Sequence, residues 1–394
     1  MKICILTPRY PLPIKGGDSL RIFNIAKHLK AQGHELILAS IYDKNYIRTE
    51  EAMTVFSQIH AVKRIPLLSA FFSLLFLLRG KPIQCGYYYS PKYLKTLKKI
   101  VEQVHPDLYI SHLTRMCPYI EKLGLEPKTI LEMTDALSRM YGSSTKARGG
   151  ILKKAIYRFE KNLIARYERL VVTRYPKIVL VSQEDIDYLE RVAGRALPCL
   201  ELHTNGVECN AETTAKYSSG KICFVGHMNT LQNEDAAIHF AKDIFPRIRK
   251  RKPDAHFYII GGDPTPSVMA LGKLDNITVT GFIDDLDGML ADACLAVAPI
   301  RIAAGIQNKV LVALANAIPV ILTPLIAKAI PELMSGENCL ISEHSDDFAN
   351  QCIALMENEI KRNAMALRGN EVVRRHYLWS RTLQGYEFFP QMRV

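Results

Sequence analysis

The sequence predicts an α/β protein built as two consecutive doubly wound units, and three observations predict it. At 394 residues the chain is long for one domain and suits two of about 200 residues each. Short β-rich runs alternate with helical stripes from the first residues onward. That rhythm breaks once, in a polar stretch rich in turn formers, and then restarts.

In the first half, residues 2–8 (KICILTP) read as a strand. Apolar residues at 20, 22, 23, 26 and 29 make a helical stripe, which Asp18 or Ser19 can cap and Gly33 can end. Residues 35–43 form a second strand; 107–112, 129–135 and 178–183 are further strands, with helices over 91–104 and 150–173. After the break, ICFVGHM, AHFYIIGGD, ITVTGF, ACLAVAPI and IPVILT read as strands, the first ending in a glycine turn. The expected units are 1–203 and 221–375, joined by a linker over 204–220, with a C-terminal helix over 376–394 that crosses back to the first unit. Strands of this kind form parallel sheets covered on both faces, with ligands at the carboxyl ends of the strands and in the cleft between two such units.

Composition bounds the class. A hydrophobic share of 48% and a charged share of 23% are ordinary for a globular chain. The nine cysteines are scattered singly without CxxC spacing, which gives no zinc or dithiol motif and reads as reduced thiols in a cytoplasmic protein. The N-terminus reads as a strand, not as a signal peptide. Residues 1–200 hold 32 basic and 17 acidic side chains, net +15, whereas residues 201–394 hold 19 and 22, net −3. A basic half faces an anionic partner or a solvated surface. No recognition motif accompanies the charge, so nucleic acid is not the expected partner. Residues 67–78 (LLSAFFSLLFLL) carry no charge and are too short to cross a bilayer. Two readings stand side by side: a helix buried in the first core, or contact with a membrane surface between the basic residues 63, 64, 79 and 81.

Three places could carry chemistry. Gly16 and Gly17 lie between the first strand and first helix, where backbone amides can approach an anion, although many such loops hold glycine for turn geometry alone. Gly305, Ile306, Gln307 and Asn308 form a turn entering a helix, Lys309 adds a full charge there, and Arg301 can add another. His112 and Asp135 end two strands of the first sheet, where a carboxylate can take a proton from an alcohol and a histidine can position a hydroxyl; capping roles explain each taken singly. There is no H-E-x-x-H, Walker loop, GxSxG, kinase signature or sugar–metal D-x-D, so no metal site is expected. The acidic run 284–287 reads as helix capping.

Taken together, FVGHM, FYIIGGD, ITVTGFIDDLDGMLADACLAVAPI, GIQNKVLVALANAIPVILT and GENCLIS, in this order, resemble the group 1 (family 4-like) retaining, metal-independent bacterial glycosyltransferases of the GT-B fold. TPRYPLPIKGGDSLRIFNIAKHLKAQGHE resembles their N-terminal glycine loop and TNGVE their interdomain turn, so the resemblance spans nearly the whole chain. It implies an acceptor-side first unit and a nucleotide-sugar-binding second unit. It places Gly226 under the donor diphosphate, the Phe282 and Ile283 backbone at the base, and Gly305 through Lys309 on the phosphates. Gly16 and Gly17 would close from the first unit, His112 would lie near the donor sugar, and Asp135 would be the base. The donor is then a nucleotide diphosphate sugar, no cofactor is needed, and the acceptor is lipid-linked or a growing glycan in surface polysaccharide or glycolipid synthesis. That acceptor suits a cytoplasmic chain peripheral on the inner membrane face.

One departure bears on activity. Members of the family commonly carry glutamate where this chain has Val312, on the donor ribose, and a second acid at Ala304. Losing a charged hydrogen bond costs about 1.5–3 kcal/mol. A catalytically weak chain that partners an active transferase is therefore the alternative, and an epimerase of the same fold is a second.

Overall fold

The computed structural model describes residues 1–14, 16–43, 49–144, 151–209, 220–302 and 305–388. They form two compact units: Met1–Thr204 together with Leu383–Val394, and Asn205–Thr382. Ala304 and most of the expected linker fall outside the described residues.

Unit 1 is a seven-stranded parallel sheet. Its strands are β1 (Lys2–Thr7), β2 (Glu35–Tyr42), β3 (Gln58–Lys63), β4 (Leu108–His112), β5 (Thr129–Thr134), β6 (Lys177–Leu180) and β7 (Leu200–Leu202), in the order β3-β2-β1-β4-β5-β6-β7. Strands β4 and β6 are buried along their whole length, as sheets covered by helices on both faces require. The order reverses direction between β1 and β4. The first helix, Gly17–Ala31, has Gly16 as its N-cap, and Ser19 bonds back to the Gly16 amide, so serine closes the turn from inside the helix. Gly33, at φ +83°, lets the chain turn into β2.

One buried ion pair fixes the centre of this unit. Arg21, on the first helix, meets Glu132 of β5 with two bonds, Nε–Oε1 at 2.9 Å and Nη2–Oε2 at 3.0 Å, and both side chains have no solvent exposure. Glu132 also accepts from the Tyr386 hydroxyl at 3.0 Å and from Thr134 Oγ1 at 3.2 Å, while Arg21 Nη1 reaches the Thr204 carbonyl. The C-terminal return is held again by Lys177, whose ammonium donates to the carbonyls of Gly385 and Phe388. That return is not one helix over 376–394: a π turn, Val373–Tyr377, and a short helix, Trp379–Thr382, precede it, and 389–394 lie outside the described residues.

Residues 67–78 do form a helix, Pro66–Leu78, but not a buried one. Among its residues only Ser69 and Phe76 are buried, so the core-helix reading does not hold. No described helix is long and apolar enough to cross a membrane.

Unit 2 is a six-stranded parallel sheet of β8 (Lys221–Val225), β9 (His256–Ile260), β10 (Ile277–Gly281), β11 (Leu295–Ala298), β12 (Val320–Leu322) and β13 (Leu340–Ile341), ordered β10-β9-β8-β11-β12-β13. Phe224, Phe240, Phe245, Phe257 and Phe348 anchor its core, with the Phe240 and Phe257 rings 4.5 Å apart. Direction reverses between β8 and β11. Asp285, of the acidic run, caps a short helix by accepting from the Gly288 amide at 2.8 Å.

Removing one partner of a buried pair leaves the other charge uncompensated. Glu132→Gln is expected to lower stability by about 3–5 kcal/mol in denaturant unfolding, and Arg21→Met/Glu132→Met by less than that single change. A loss from Glu132→Gln no larger than that of a surface substitution would show that the pair does not anchor unit 1.

Candidate functional site

In each unit most of the predicted residues stand at the carboxyl ends of the two strands that flank the reversal of strand order: Gly16, Gly17 and His112 after β1 and β4, and Gly226 and Gly305 to Lys309 after β8 and β11, whereas Asp135 follows β5 and Phe282 and Ile283 follow the edge strand β10. Loops leaving such adjacent strands in opposite senses open a crevice there.

In unit 2, β8 ends at Val225 and Gly226 turns the chain toward the helix Leu231–His239. A Cβ at Gly226 would stand 2.6 Å from Asn233 Nδ2, and one at Gly261 (φ +144°) would stand 1.8 Å from the Gly226 carbonyl oxygen. Only glycines let these two loops lie against each other and against Asn233. Asn233 Nδ2 donates to the His227 carbonyl at 2.9 Å, which leaves Oδ1 to accept from the ammonium of Lys309. Lys309 is the second residue of the helix Asn308–Ala315 and also donates to Gln307 Oε1 at 3.2 Å. Gly226, Asn233 and Lys309 thus form one continuous contact between the β8 loop and the helix that follows β11.

No carboxylate takes part in these Lys309 contacts. Desolvation pulls its pKa from the usual lysine range down to about 7. The helix begins without a side-chain cap at Gln307, the Val310 amide bonds the Gln307 carbonyl at 2.9 Å, and Asn308 Oδ1 is buried with no hydrogen-bond partner. Gly305, at φ +67°, makes the preceding turn. Arg301 is placed differently from the sequence expectation: it forms a two-bond ion pair with Asp235, at 2.6 and 3.0 Å, so a nearby carboxylate already offsets its charge. Phe282 is 63% exposed beside Gly262, while Ile283, Ile306 and Val312 are partly buried against the unit 2 core.

In unit 1, Gly16 caps the first helix in extended backbone and Gly17 follows. A Cβ at Gly17 would meet nothing within 4 Å, so the unit's own packing does not demand glycine there. His112 closes β4 and lies opposite Glu132 in the β4–β5 register. Its Nδ1 is buried without a partner, and desolvation lowers its pKa to about 4 despite the raising influence of Glu132, so the ring is neutral near pH 7. Asp135 follows β5; burial, reinforced by the negative charge of Asp185, raises its pKa to about 6. Each residue adjoins a non-glycine in the left-handed region, Leu113 and Thr134, both at φ +67°. Such backbone costs of order 1–3 kcal/mol per residue and gathers where side-chain aim matters. Among the described residues no group of three or more His, Cys, Asp or Glu side chains could hold a metal ion.

The chain's similarities agree with this geometry. Residues 219–358 match the family model described as glycosyl transferases group 1, which bears out the resemblance on the unit that holds Lys309 and marks that unit as a group 1 glycosyltransferase domain. The whole chain superposes on solved glycosyltransferases at low identity, which establishes the GT-B fold. Anabaena HepE, solved with UDP and glucose, is 13% identical with a TM-score of 0.67, covering 97% of each chain. Sucrose-phosphate synthase from Thermosynechococcus elongatus is 13% identical with a TM-score of 0.71, covering 99% of this chain and 98% of its own. WaaG, a glycosyltransferase involved in lipopolysaccharide biosynthesis, is 12% identical with a TM-score of 0.66, covering 99% of this chain and all of its own. No curated protein sequence matches the chain.

Sequence reasoning missed Asn233, which joins Gly226 to Lys309, and the Arg21–Glu132 pair beside His112. Asn233 stands in the helix Leu231–His239, and its one local signal is its position just beyond the FVGHM turn.

The lowered pKa of Lys309 has a measurable sign. Unfolded, the lysine keeps its proton to about pH 10.5; folded, it loses it near 7. The unfolded chain therefore binds more protons above pH 7, and stability rises with pH there. Between pH 7 and 8.5 the wild type is expected to gain about 1–2 kcal/mol relative to Lys309→Met, read from paired denaturation curves. Parallel curves for the two proteins would place the ammonium in water.

Proposed function

We propose that the chain transfers a sugar from a nucleotide diphosphate sugar to an alcohol of a lipid-linked or growing glycan acceptor, with retention of configuration, in surface polysaccharide or glycolipid synthesis. The observation that carries this reading is Lys309. A desolvated ammonium held by Asn233 and Gln307, at an uncapped helix start beside the Gly226 turn, is built to receive an anion. A diphosphate arriving there restores the proton that burial disfavours, and the ammonium then offsets the charge that develops on the leaving group. In this reading Lys309 supplies charge that a metal supplies in other transferases.

Unit 1 supplies the acid–base groups. Asp135, with its pKa near 6, is ionised at pH 7 yet basic enough to accept the acceptor's proton. Neutral His112, with its unpartnered Nδ1, can bond a sugar hydroxyl. The resemblance assigns the Phe282 and Ile283 backbone to the base and Gly16 and Gly17 to the diphosphate. HepE has been solved with UDP, so UDP is the first probe for this chain. A second reading, a catalytically weak partner of an active transferase, draws on Val312, which packs against apolar neighbours where a ribose would need an acceptor.

Lys309→Ala is expected to weaken UDP binding by about 1.5–3 kcal/mol, or roughly ten- to a hundredfold and more, with the circular dichroism of the folded chain retained. Calorimetry over a panel of nucleotide sugars measures this; the same affinity in both proteins removes Lys309 from the site.

Val312→Glu is expected to tighten donor binding by about 1 kcal/mol or more, because residue 312 is only partly buried and a carboxylate there keeps access to water and to ribose hydroxyls. Affinity and melting temperature are read together. A stable variant without tighter binding would move the nucleotide off this helix, and tighter binding without transfer in either protein would favour the partner reading.

A further inference from the structure

The helix Pro66–Leu78 is seated firmly by one side and apolar on the other. On its inner side Phe72 and Phe76 pack on Tyr89, with ring centroids 4.8 and 5.4 Å apart. Its backbone lies so close to Gly86 that a Cβ there would stand 2.4 Å from the Phe72 carbonyl oxygen. The outer side carries Leu67, Phe71, Leu74 and Leu78, exposed by 80, 59, 56 and 76%. Positions 67, 71, 74 and 78 recur every three or four residues, so the four side chains form one stripe along three turns. An exposed stripe of this size on a rigid helix marks a docking face.

Charge identifies what docks. From Ala52 to Val101 the chain has no acidic residue and eight basic ones. Lys63 and Arg64 precede the helix; Arg79 and Lys81 follow it. Arg64 is fixed by Asp43 and stacks over the Tyr87 ring at 4.3 Å. A cavity of about 570 Å³ beside the helix has Phe72 and Phe76 on its wall; Arg79 and Lys122 line it together with Glu121 and Glu126, and Lys81 is paired with Glu121 at 3.2 Å, so the cavity itself is mixed in charge and the basic excess lies at the helix ends. Pro91 also lines it and opens the next long helix, Pro91–Val104, which exposes Lys92, Lys95, Lys98 and Lys99.

We propose that the outer stripe of helix Pro66–Leu78 is a docking face for an anionic lipid bilayer. The helix lies in the interfacial plane, Leu67, Phe71, Leu74 and Leu78 enter the acyl boundary, and the basic residues at its two ends meet headgroup phosphates. An apolar face combined with basic flanks is what interfacial helices use, and neither signal alone gives stable attachment. An acidic protein groove is disfavoured because the stripe itself carries no charge to read, and the basic groups flank it at both ends, where headgroups would lie. This docking stands apart from the sugar chemistry: it fails or holds whether or not the chain binds a nucleotide.

The full chain is floated with vesicles of phosphatidylcholine alone and with added phosphatidylglycerol, at low and high salt. Binding to the anionic vesicles is expected, weakened by salt. Phe71→Glu/Leu74→Glu is expected to lower partitioning at least about tenfold with unchanged circular dichroism. Phe71→Trp is expected to give an emission blue-shifted by vesicles and quenched by brominated acyl chains; the native Trp379 lies in unit 2 and supplies the unchanged background. Failure to bind anionic vesicles at low salt, or binding indifferent to the paired glutamates, overturns the proposal. So does a concentration-dependent dimer that the glutamates dissociate, since the stripe would then be an interface between copies.

Discussion

The buried contact between Arg21 and Glu132 is the constraint on which unit 1 depends. A desolvated guanidinium and a desolvated carboxylate are each costly, and the cost is met only while every bond between them is made. Those bonds reach the first helix, strand β5, Thr204 at the end of the unit and Tyr386 on the chain's return. The C-terminal segment is therefore not an appendage. Without Tyr386, one oxygen of Glu132 would lose a partner in a place where water cannot replace it. The same carboxylate lies across from His112 in the sheet register, and Thr134, which bonds to it, immediately precedes Asp135. The positions of both candidate reactive groups follow from the geometry of this one pair.

The two units solve opposite electrostatic problems. Unit 1 holds carboxyl and imidazole groups in a buried setting, so Asp135 rises and His112 falls toward neutrality. Unit 2 holds a single ammonium among amide oxygens, and it too falls toward neutrality. Each is costly at rest and gains most from a partner of opposite or hydrogen-bonding character. Backbone strain at Leu113 and Thr134 has the same sense, since it adjoins the two candidate side chains and is present before any ligand. This is preorganisation, in which folding has already met the cost of aiming and desolvating the groups.

Much of this was legible in the sequence, for local reasons. Parallel strands buried on both faces read as short apolar runs, and their ends read as the glycine, histidine and aspartate that begin the next loop. The Gly305 to Lys309 turn was legible as a candidate anion site because a glycine, a helix start and a lysine fall within five residues. The Arg21–Glu132 pair was not, because its partners are 111 residues apart and nothing near either names the other. Asn233 was hidden because an amide inside an amphipathic helix has no pattern of its own. The helix Pro66–Leu78 was legible as a helix but not as a surface. It is apolar on every side, so periodicity cannot tell the face that packs on Tyr89 from the face that meets solvent; the close approach at Gly86 decides it.

Val312 shows how the unit 2 helix divides its labour. Its first turn offers backbone amides and one ammonium, groups that serve any phosphate. One turn on, Val312 joins Ile283 and Ile306 against the core, and the helix ends with Asn316 bonded to the Val312 carbonyl and to Asp287. A carboxylate at 312 would have drawn on water or a ligand for its hydrogen bonds; valine draws on packing. The substitution therefore exchanges ligand-dependent for ligand-independent stability within the same helix. It leaves the phosphate end untouched, because the amides and Lys309 owe nothing to the side chain at 312. If a nucleotide sugar binds as proposed, valine at 312 gives its ribose no acceptor, and selectivity there falls to the Phe282–Ile283 loop and the side chains near Asn233.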